Sequence, residues 1–401
     1  MSSAAARDEN GAALQAEGGL ASSGLARISN DDFDRDVWCV LGVPIDVATV
    51  SSAADMVESA VRLRRPLSFV TPNLSFLSRA SRDPEARREI IDADLSLADG
   101  APVAFLARLF GAPLASRAAG SDVFEALRAR PAFRGRRMRV FFFGGRAGAA
   151  EAAARALQAE SGFLEPAGFL DPGHGDVASM SGDAVIDAIN RAEPDFVVVA
   201  LGAAKGQAWI DRNRGRLSAP VIAHLGAVVD FTGGTIRRAP VLWRRLGAEW
   251  AWRVLEEPSL WRRYAGDAAW FVGAALFKLP PILALARRRS GTPGTAGVLR
   301  VDGRTEIILS GDVVAGSLAP VRQAFRAAAA AGAEILVDAT RIGGADCAFL
   351  GLVMMLEKHA RRTGGVFWAG TPKWLLAAAR ASGVALRPAD GRAANSEAAA
   401  A

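Results

Sequence analysis

Between residues 36 and 236 the chain alternates short apolar runs with longer stretches that have the spacing of helices. Apolar runs of this length, bounded by glycine, proline or asparagine, predict buried strands. They lie at Val37–Val47, Leu67–Thr71, Leu95–Ala98, Met138–Phe143, Phe196–Leu201 and Val221–Leu225. The predicted helices lie at Val50–Arg64, Pro84–Asp92, Val103–Phe110, Ala147–Gln158, Gly182–Ala192 and Lys205–Asn213. Buried strands alternating with helices indicate an α/β domain around a mostly parallel sheet.

The pattern changes in residues 237–289, which join an arginine- and tryptophan-rich segment to the apolar stretch Ala268–Ala286. Lys278 and Pro280–Pro281 interrupt this stretch, so its unbroken runs fall well short of the ~20 residues that cross a bilayer. The composition favours a monotopic segment lying on a membrane surface. A helix packed on the domain or on another subunit is the alternative.

A linker rich in glycine and threonine, residues 290–297, precedes a second unit at 298–387. Its predicted elements are two strands within Val298–Leu309, helix Leu318–Ala330, strand Ile335–Ala339, helix Phe349–Arg362, strand Val366–Ala369 and helix Lys373–Ser382. Residues 1–35 and 388–401 are rich in alanine, serine and glycine, and they are predicted to be disordered. The first 30 residues lack the basic-then-apolar pattern of a secretory signal.

Composition limits the chemistry. With 51% hydrophobic and 22% charged residues in 401, the chain can bury substantial cores, which excludes a disordered protein. Its two cysteines exclude a disulfide scaffold and a four-cysteine zinc site. Its three histidines are far apart in sequence, which argues against a histidine-rich metal centre. We therefore predict neither a metal nor a cofactor.

The positive charge is concentrated in one segment. The whole chain has a net charge of +6, yet residues 237–289 hold eleven basic against four acidic residues, and the remainder has a net charge of −1. Arginines between tryptophans would also suit nucleic acid, but no nucleic-acid-binding motif accompanies them. The distribution favours an anionic membrane surface and a lipid-linked phosphate, and we predict no nucleic-acid partner.

Two polar motifs directly follow predicted strands. Side chains at the carboxyl ends of parallel strands face the crevice where α/β domains bind ligands. Thr71-Pro72-Asn73 follows one strand, although Asn73 could instead cap the next helix. Asp99-Gly100 follows the next strand, and a carboxylate beside a glycine suits a general base. An ordinary Asp-Gly turn is the alternative for Asp99.

Two further loops are candidates for binding phosphate. Gly144 and Gly145 join a strand to a helix whose amides can cradle a phosphate. Their spacing is not that of the dinucleotide fingerprint, so a nucleotide is predicted whereas NAD is not supported. A nucleotide-dependent oxidoreductase would rest on this loop alone. Lys205 and Gln207 follow another strand, where they could meet a phosphate and a sugar hydroxyl or base.

In this order and spacing, the motifs resemble those of the WecG/TagA/CpsF family of bacterial glycosyltransferases, between Val37 and Tyr264. The matching motifs are LGVPID, TPN, ADG, RAAGSD, FFGG, PDFVVVALG, DFTGG, RRAP, EW and RRY. The resemblance implies a Rossmann-like domain that transfers a sugar with inversion and without a metal. The donor would be a nucleotide-diphosphate sugar, typically UDP-N-acetylmannosamine or its uronic acid. The acceptor would be a sugar linked to polyprenyl diphosphate, so the enzyme would be peripheral at the cytoplasmic face of the inner membrane.

The resemblance also implies roles for residues. Asp99 would be the general base, and Thr71 and Asn73 would shape the pocket. Arginines of residues 237–289 would close over the site and neutralise diphosphate. The remaining candidates for substrate binding are Arg117, Asp122, Gly144, Gly145, Lys205, Gln207, Asp230, Arg237, Arg238, Arg253, Arg262 and Arg263.

One motif departs from the family pattern. Where the family has P-K-Q-E-x-W, this chain has Ala204, Lys205, Gly206 and Gln207 in the first four positions. The Gln of the motif is thus Gly206 here, and Gln207 could replace it from one position along. The departure favours an unusual donor or weak activity. The alternative function is therefore a catalytically weak relative acting as a scaffold or regulator of polysaccharide synthesis.

The second unit resembles a STAS domain, a small α/β fold. The resemblance rests on the strand order, on Ser310-Gly311-Asp312, and on Asp346 just before a helix. Switchable members of this family have a D-S-[ST]-G loop, whereas this chain has Asp346, Cys347, Ala348 and Phe349. Since the loop has no hydroxyl to phosphorylate, the resemblance implies a fixed docking or regulatory module with a possible protein partner.

Overall fold

A computed structural model describes residues 31–389 except 133–134, 161, 237–238, 241–242, 244–248, 302 and 362. The strands of the first unit are β1 Val37–Val40, β2 Val43–Asp46, β3 Leu67–Val70, β4 Leu95–Ser96, β5 Met138–Gly144, β6 Leu164–Leu170, β7 Phe196–Ala200 and β8 Val221–His224. Its helices are α1 Val50–Leu63, α2 Leu74–Ala80, α3 Pro84–Ile91, α4 Ala101–Leu109, α5 Gly120–Arg128, α6 Ala149–Gln158, α7 Asp183–Arg191, α8 Ala203–Asn213 and α9 Gly226–Thr232.

Six of these strands form one parallel sheet in the order β4-β3-β8-β7-β5-β6. Separate apolar clusters cover its two faces, one built on Phe142 and Val198 and the other on Phe143 and Val199. Alternate side chains of β5 and β7 therefore enter opposite cores, which explains why the sequence of these strands is apolar without alternation. The predicted α/β class is confirmed.

The edge strand β6 was not predicted from the sequence. Its sequence, LEPAGFL, contains Glu165 and Pro166, and most of its residues are partly exposed. Proline is tolerated at a sheet edge or a bulge because it cannot donate a ladder hydrogen bond. The pairing with β5 shifts register between Val140 and Phe141, opposite this proline. A strand of this kind lacks the apolar run that identifies buried strands.

Three helices connect the two units, and the second unit follows. The connecting helices are α10 Glu249–Glu256, α11 Trp261–Phe277 and α12 Leu279–Arg287. The second unit comprises β9 Thr295–Val301, β10 Arg304–Val313, α13 Ala319–Ala331, β11 Ile335–Ala345, α14 Cys347–Ala360, β12 Val366–Ala369 and α15 Lys373–Ala381. Its sheet has the order β12-β11-β10-β9, and only β9 is antiparallel to its neighbour. The predicted helix ending at Arg362 corresponds to α14, and Arg362 itself lies outside the described residues.

The two units share one apolar core. The single strand predicted over Val37–Val47 is instead an antiparallel hairpin, β1–β2, because the chain turns through Leu41 and Gly42 with positive φ angles. This hairpin packs on α14 of the second unit. A Cβ added to Gly351 would lie 2.3 Å from the Val37 carbonyl oxygen, so the two backbones touch. Most of α14 is buried, as its apolar sequence requires.

Charged residues at the start of the described chain also join the units. Residues 31–35, predicted to be disordered, form a short helical turn instead. The Asp32 carboxylate is buried and pairs with Arg35, Lys358 and His359, and these contacts hold its pKa well below the usual range against the effect of burial. At the other end, Ala389 donates to the Trp368 carbonyl, so the disorder predicted from 388 is wrong there. The remaining predicted disorder, 1–30 and 390–401, lies outside the described residues.

Helices α11 and α12 run along both units. Asp267 and Ala274 of α11 are buried, and α11 packs on α2. Ile282 and Leu285 of α12 are buried where α12 packs on α15 and β11. In the described part of the chain no single helix is long and apolar enough to cross a membrane, although Pro258–Phe277 and Leu279–Arg287, bent by 47°, have the length and composition together.

Candidate active site

A cavity of about 1090 Å³ lies at the carboxyl edge of the six-stranded sheet. All six strands contribute lining residues at or just after their ends, and α10 and α11 complete its wall. The strand-end residues are Thr71 after β3, Asp99 after β4, Gly144 at the end of β5, Asp171 after β6, Gly202 after β7 and His224 at the end of β8. The cavity therefore occupies the edge where open parallel sheets bind ligands.

Asp99 lies at one end of this cavity within a cluster of charges. The nearest cation is Arg117, whose Nη1 is 3.9 Å from Asp99 Oδ1. Arg117 Nη2 is also 3.6 Å from Asp122 Oδ2 and 3.5 Å from Glu249 Oε2. Burial raises the pKa of Asp99 to about 7; Arg117 opposes this effect, while Glu249 and Asp122 add to it. A carboxylate with this pKa can accept a proton near neutral pH.

The TPN loop holds the cavity wall beside Asp99. Asn73 caps α2 by accepting hydrogen bonds from the amides of Ser75 and Phe76, and it also lines the cavity. Asn73 therefore caps the helix and lines the cavity at the same time, and its contact with a substrate remains a prediction. The Ser75 hydroxyl is bonded to the Asp267 carboxylate of α11. This contact ties α11, which follows the arginine-rich segment, to the loop beside Asp99.

The glycine of the RAAGSD motif, Gly120, lies where there is little space for a side chain. A Cβ at Gly120 would lie 2.3 Å from Leu225 and 3.2 Å from Thr71. A side chain there would have to displace the side chains of Leu225 and Thr71, which follow β8 and β3. Gly120 thus lets α5 start against the cavity floor.

The glycine loop lies across the cavity from Asp99. Gly144, Gly145 and Gly148 all have positive φ angles, which glycine adopts without strain. A Cβ at Gly144 would lie 2.9 Å from the Ala200 carbonyl oxygen, so β5 can end against β7 only without a side chain there. The turn leads into α6, and the amino-terminal end of a helix attracts phosphate.

Five cationic side chains of the described chain line the cavity. They are Arg117, Arg146, Lys205, Arg253 and Arg263. The Lys205 ammonium donates to the Gly175 carbonyl at 2.7 Å, and the Arg146 guanidinium pairs with Glu257 at 2.8 Å. Asp230 lies among them, and burial raises its pKa. The described residues contain no group of three His, Cys, Asp or Glu residues that could hold a metal ion.

Not every predicted arginine reaches the cavity. Arg262 is exposed and lies over the Trp261 ring, with its guanidinium carbon 5.7 Å from the ring centroid, and it is not among the cavity-lining residues described. Arg237 and Arg238 lie outside the described residues. Asp122 contributes indirectly, since it contacts Arg117 and is not itself a lining residue.

The prediction that Gln207 contacts the substrate is wrong in this structure. Gln207 is 3% exposed, and its amide donates to the Glu89 carbonyl at 3.4 Å. Helix geometry gives the reason. Lys205 faces the cavity, and a residue two positions further along a helix points about 200° around its axis. Gln207 therefore faces α3 and the core.

Other lining residues were not among those predicted. Glu249 belongs to the EW motif, and Tyr264 to the RRY motif, so the motifs contained a signal for both. His224 ends an otherwise apolar strand, which is also a signal in the sequence. Asp171 and His174 follow β6, and without that strand nothing in the sequence indicated that they lie at the sheet edge.

A parallel α/β sheet whose crevice holds a carboxylate, a glycine loop at a helix start and several cationic side chains fits a protein that handles phosphorylated substrates. The family model described as glycosyl transferase WecG/TagA/CpsF matches residues 38–281, more than half of the chain. The chain belongs to this glycosyltransferase family, as the motifs predicted. The model described as Mlab, STAS domain matches residues 297–386, which confirms the predicted resemblance of the second unit.

Curated relatives include two enzymes named N-acetylglucosaminyldiphosphoundecaprenol N-acetyl-beta-D-mannosaminyltransferase. The protein from Bacillus spizizenii is 31% identical over 187 residues, which cover 47% of this chain and 70% of the relative. The protein from Staphylococcus aureus strain NCTC 8325 is 26% identical over 222 residues, which cover 54% of this chain and 83% of the relative. The similarity is thus to most of each relative and to about half of this chain.

Proposed function

We propose that the chain transfers an N-acetylmannosamine-type sugar from a UDP-sugar to a sugar linked to polyprenyl diphosphate. The observation that carries this proposal is the position of Asp99 across one cavity from the glycine loop and Lys205. The names of the relatives supply the substrate class. Such a reaction belongs to the synthesis of an envelope or exopolysaccharide polymer.

In the proposed reaction, a hydroxyl oxygen of the acceptor sugar attacks the anomeric carbon of the donor sugar. The bond between that carbon and the phosphate oxygen breaks, and UDP leaves with the electron pair. The hydroxyl proton passes to the Asp99 carboxylate. Attack from the face opposite the leaving group inverts the anomeric centre. Asp99 can take this role because its raised pKa leaves it both ionised and basic above pH 7.

Negative charge develops on the departing diphosphate. The amides at the start of α6 and the side chains of Lys205, Arg253 and Arg263 face the cavity and would stabilise that charge. Guanidinium groups bind phosphate through paired hydrogen bonds, so they can neutralise a leaving diphosphate. This arrangement supports a transfer in which cationic side chains neutralise the leaving diphosphate.

The transfer assay tests the proposal directly. Purified full-length protein is mixed with UDP-N-acetylmannosamine and a polyprenyl-diphosphate-linked N-acetylglucosamine, and UDP release is followed. We expect Asp99→Asn to lose at least about 100-fold in rate, the usual contribution of a general base. The matched control is Asp183→Asn, whose carboxylate is 93% exposed on α7. Absence of UDP release from the wild-type protein with every UDP-sugar tried would reject the proposal.

Exposed apolar side chains at the rim of the cavity support the proposal that the protein lies on the inner face of the cytoplasmic membrane. Trp261, Val272, Leu276 and Phe277 of α11 are exposed, and the first two also line the cavity. A lipid-linked acceptor would reach Asp99 across this apolar rim. Basic side chains at the end of α12 would meet anionic headgroups.

Vesicle sedimentation tests the membrane position. Wild-type protein is expected to sediment with vesicles containing phosphatidylglycerol, and a double variant Leu276→Glu with Phe277→Glu is expected to stay in the supernatant. Leu299→Glu is the matched control, because Leu299 is 50% exposed on β9 of the second unit. Equal sedimentation of all three proteins would contradict the proposed membrane contact.

The contacts of the STAS unit with the rest of the chain support a structural role for this unit. Helix α14 packs on the β1–β2 hairpin, and α15 packs on α12, the helix that continues from the cavity wall. We infer that the STAS unit braces α11 and α12 over the site. The alternative, a weak enzyme that serves as a scaffold through its STAS unit, rests on Gly206 and would require that Asp99→Asn leave UDP release unchanged.

A further inference from the structure

His224 lines the cavity at the end of a strand in the middle of the six-stranded sheet. It ends β8, which lies between β3 and β7 in the sheet, and its ring lines the cavity. Its Nε2 is enclosed and has no hydrogen-bond partner among the described residues. Burial lowers the pKa of His224 to about 4, so the ring is neutral at physiological pH. A neutral imidazole offers one donor and one acceptor to uncharged polar groups.

Gly206 makes room for this imidazole. A Cβ added to Gly206 would lie 2.1 Å from His224 Cδ2 and 2.8 Å from Nε2, both too short for any real contact. The histidine ring and a side chain at position 206 therefore exclude each other. Position 206 is where the P-K-Q-E-x-W motif of the family carries its glutamine. The imidazole in this chain thus fills the space into which a side chain at position 206 would project.

The strand order identifies which part of the substrates would meet His224. The proposed base, Asp99, follows β4 at one side of β8, next to β3. The proposed diphosphate-binding groups, Gly144 and Lys205, follow β5 and β7 on the other side. The transferred sugar must bridge these two sides, because its anomeric carbon bonds first to the phosphate and then to the acceptor oxygen. The sugar therefore passes over the end of β8.

We propose that His224 hydrogen-bonds an uncharged polar group of the transferred sugar, taking the place of the motif glutamine that Gly206 has replaced. The proposal rests on the proposed function and adds to it a residue that selects the donor. It also offers an explanation for the altered loop, since the polar group that the family motif carries at position 206 is supplied here from β8. His224 acts here on the sugar and not on the proton transfer.

Paired binding measurements separate the sugar contact from the nucleotide contact. The full-length protein is first tested by calorimetry with UDP-N-acetylmannosamine, UDP-N-acetylglucosamine and UDP-glucose, and the UDP-sugar that binds most tightly is chosen. The affinities for this UDP-sugar and for UDP are then compared between wild type and variant. His224→Phe keeps a planar aromatic ring at this position and removes its hydrogen bonds. We expect this variant to bind the UDP-sugar about tenfold more weakly, the effect of one neutral hydrogen bond, and to bind UDP as wild type does.

The reciprocal exchange tests the link to position 206. Gly206→Gln alone should abolish binding of the UDP-sugar or prevent the protein from folding to a soluble form, because the new side chain meets the imidazole. Gly206→Gln combined with His224→Gly removes that conflict, and we expect it to restore binding of the UDP-sugar to within about tenfold of wild type. Recovery by the double variant identifies the two positions as alternative sources of one contact.

The outcomes distinguish the inference from the proposed function. The inference is overturned if His224→Phe binds the UDP-sugar as wild type does, or if it loses UDP and UDP-sugar affinity equally. In both cases the proposed function stands, provided that wild-type protein releases UDP in the transfer assay. If wild-type protein binds no UDP-sugar at all, the proposed function fails and the inference fails with it.

Discussion

Asp99→Asn should stabilise the folded protein at alkaline pH while it removes catalysis. The Asp99 carboxylate lies partly buried in the cavity, and Arg117 is its nearest cation, at 3.9 Å. Because burial, Glu249 and Asp122 outweigh Arg117, the pKa of Asp99 rises from 3.8 to about 7. A carboxyl group with a raised pKa destabilises the folded state whenever it is ionised. Asparagine has nearly the same shape and cannot ionise.

The size and sign of the effect follow from this pKa. A tenfold change in an acid dissociation constant corresponds to about 1.4 kcal/mol, so a pKa raised from 3.8 to about 7 costs at most about 4 kcal/mol of folding free energy once the group is fully ionised. The cost is absent below pH 4, grows between pH 4 and 7, and is complete above pH 7. Because 28% of the Asp99 side chain is exposed to water, we expect roughly half of this ceiling.

Thermal unfolding at two pH values measures the effect. At pH 8 the melting temperature of Asp99→Asn should exceed that of the wild type by a few degrees, on the order of 2 °C per kcal/mol for a chain of this size. At pH 4.5 the two proteins should melt within about 1 °C of each other. Asp183→Asn is again the control and should show no such dependence on pH. A difference between Asp99→Asn and wild type that does not change with pH would refute the argument from burial.

Three further predictions concern the reaction and the contact between the units. The kcat/KM of the wild-type enzyme should fall about tenfold per pH unit below pH 7, because the proposed base Asp99 must be ionised, and a pH–rate profile measures this. Arg263→Gln should raise the KM for the donor about 10-fold or more through loss of a charged hydrogen bond, with Arg263→Lys recovering part of it, in steady-state assays. Gly351→Ala should lower the melting temperature, because the added methyl would meet the Val37 carbonyl, whereas Gly316→Ala, at an open position, should leave it unchanged.

Much of the first unit could be predicted because its strands are buried on both faces. The runs around Leu67, Met138, Phe196 and Val221 were correctly identified, since an apolar segment of that length is the signature of a central parallel strand. Strand β6 lacked this signature because an edge strand can carry proline and glutamate. The short helices α2, α5 and α9 were missed; α2 and α9 have only seven residues each, about two turns, which give little helical periodicity.

The site was predicted in part, for a related reason. Thr71, Asp99 and Gly144 could be identified because each stands where a strand ends, and parallel strands bring such residues to one edge. Their order along that edge depends on how the strands pair, which local patterns do not encode. His224 illustrates the limit: its importance follows from the distance to Gly206, which only the folded chain provides.

The contact between the units also lay beyond local patterns, and it bears on the function. The apolar sequence of α14 indicates burial but not the surface that buries it, which is the β1–β2 hairpin of the other unit. The same holds for α12, whose apolar residues favoured a membrane, although Ile282 and Leu285 face the second unit. Of these two helices, α11 is the one with exposed large apolar side chains, and two of them, Trp261 and Val272, line the cavity. The surface proposed to meet the membrane is therefore the one that also leads to Asp99, as a lipid-linked acceptor would require.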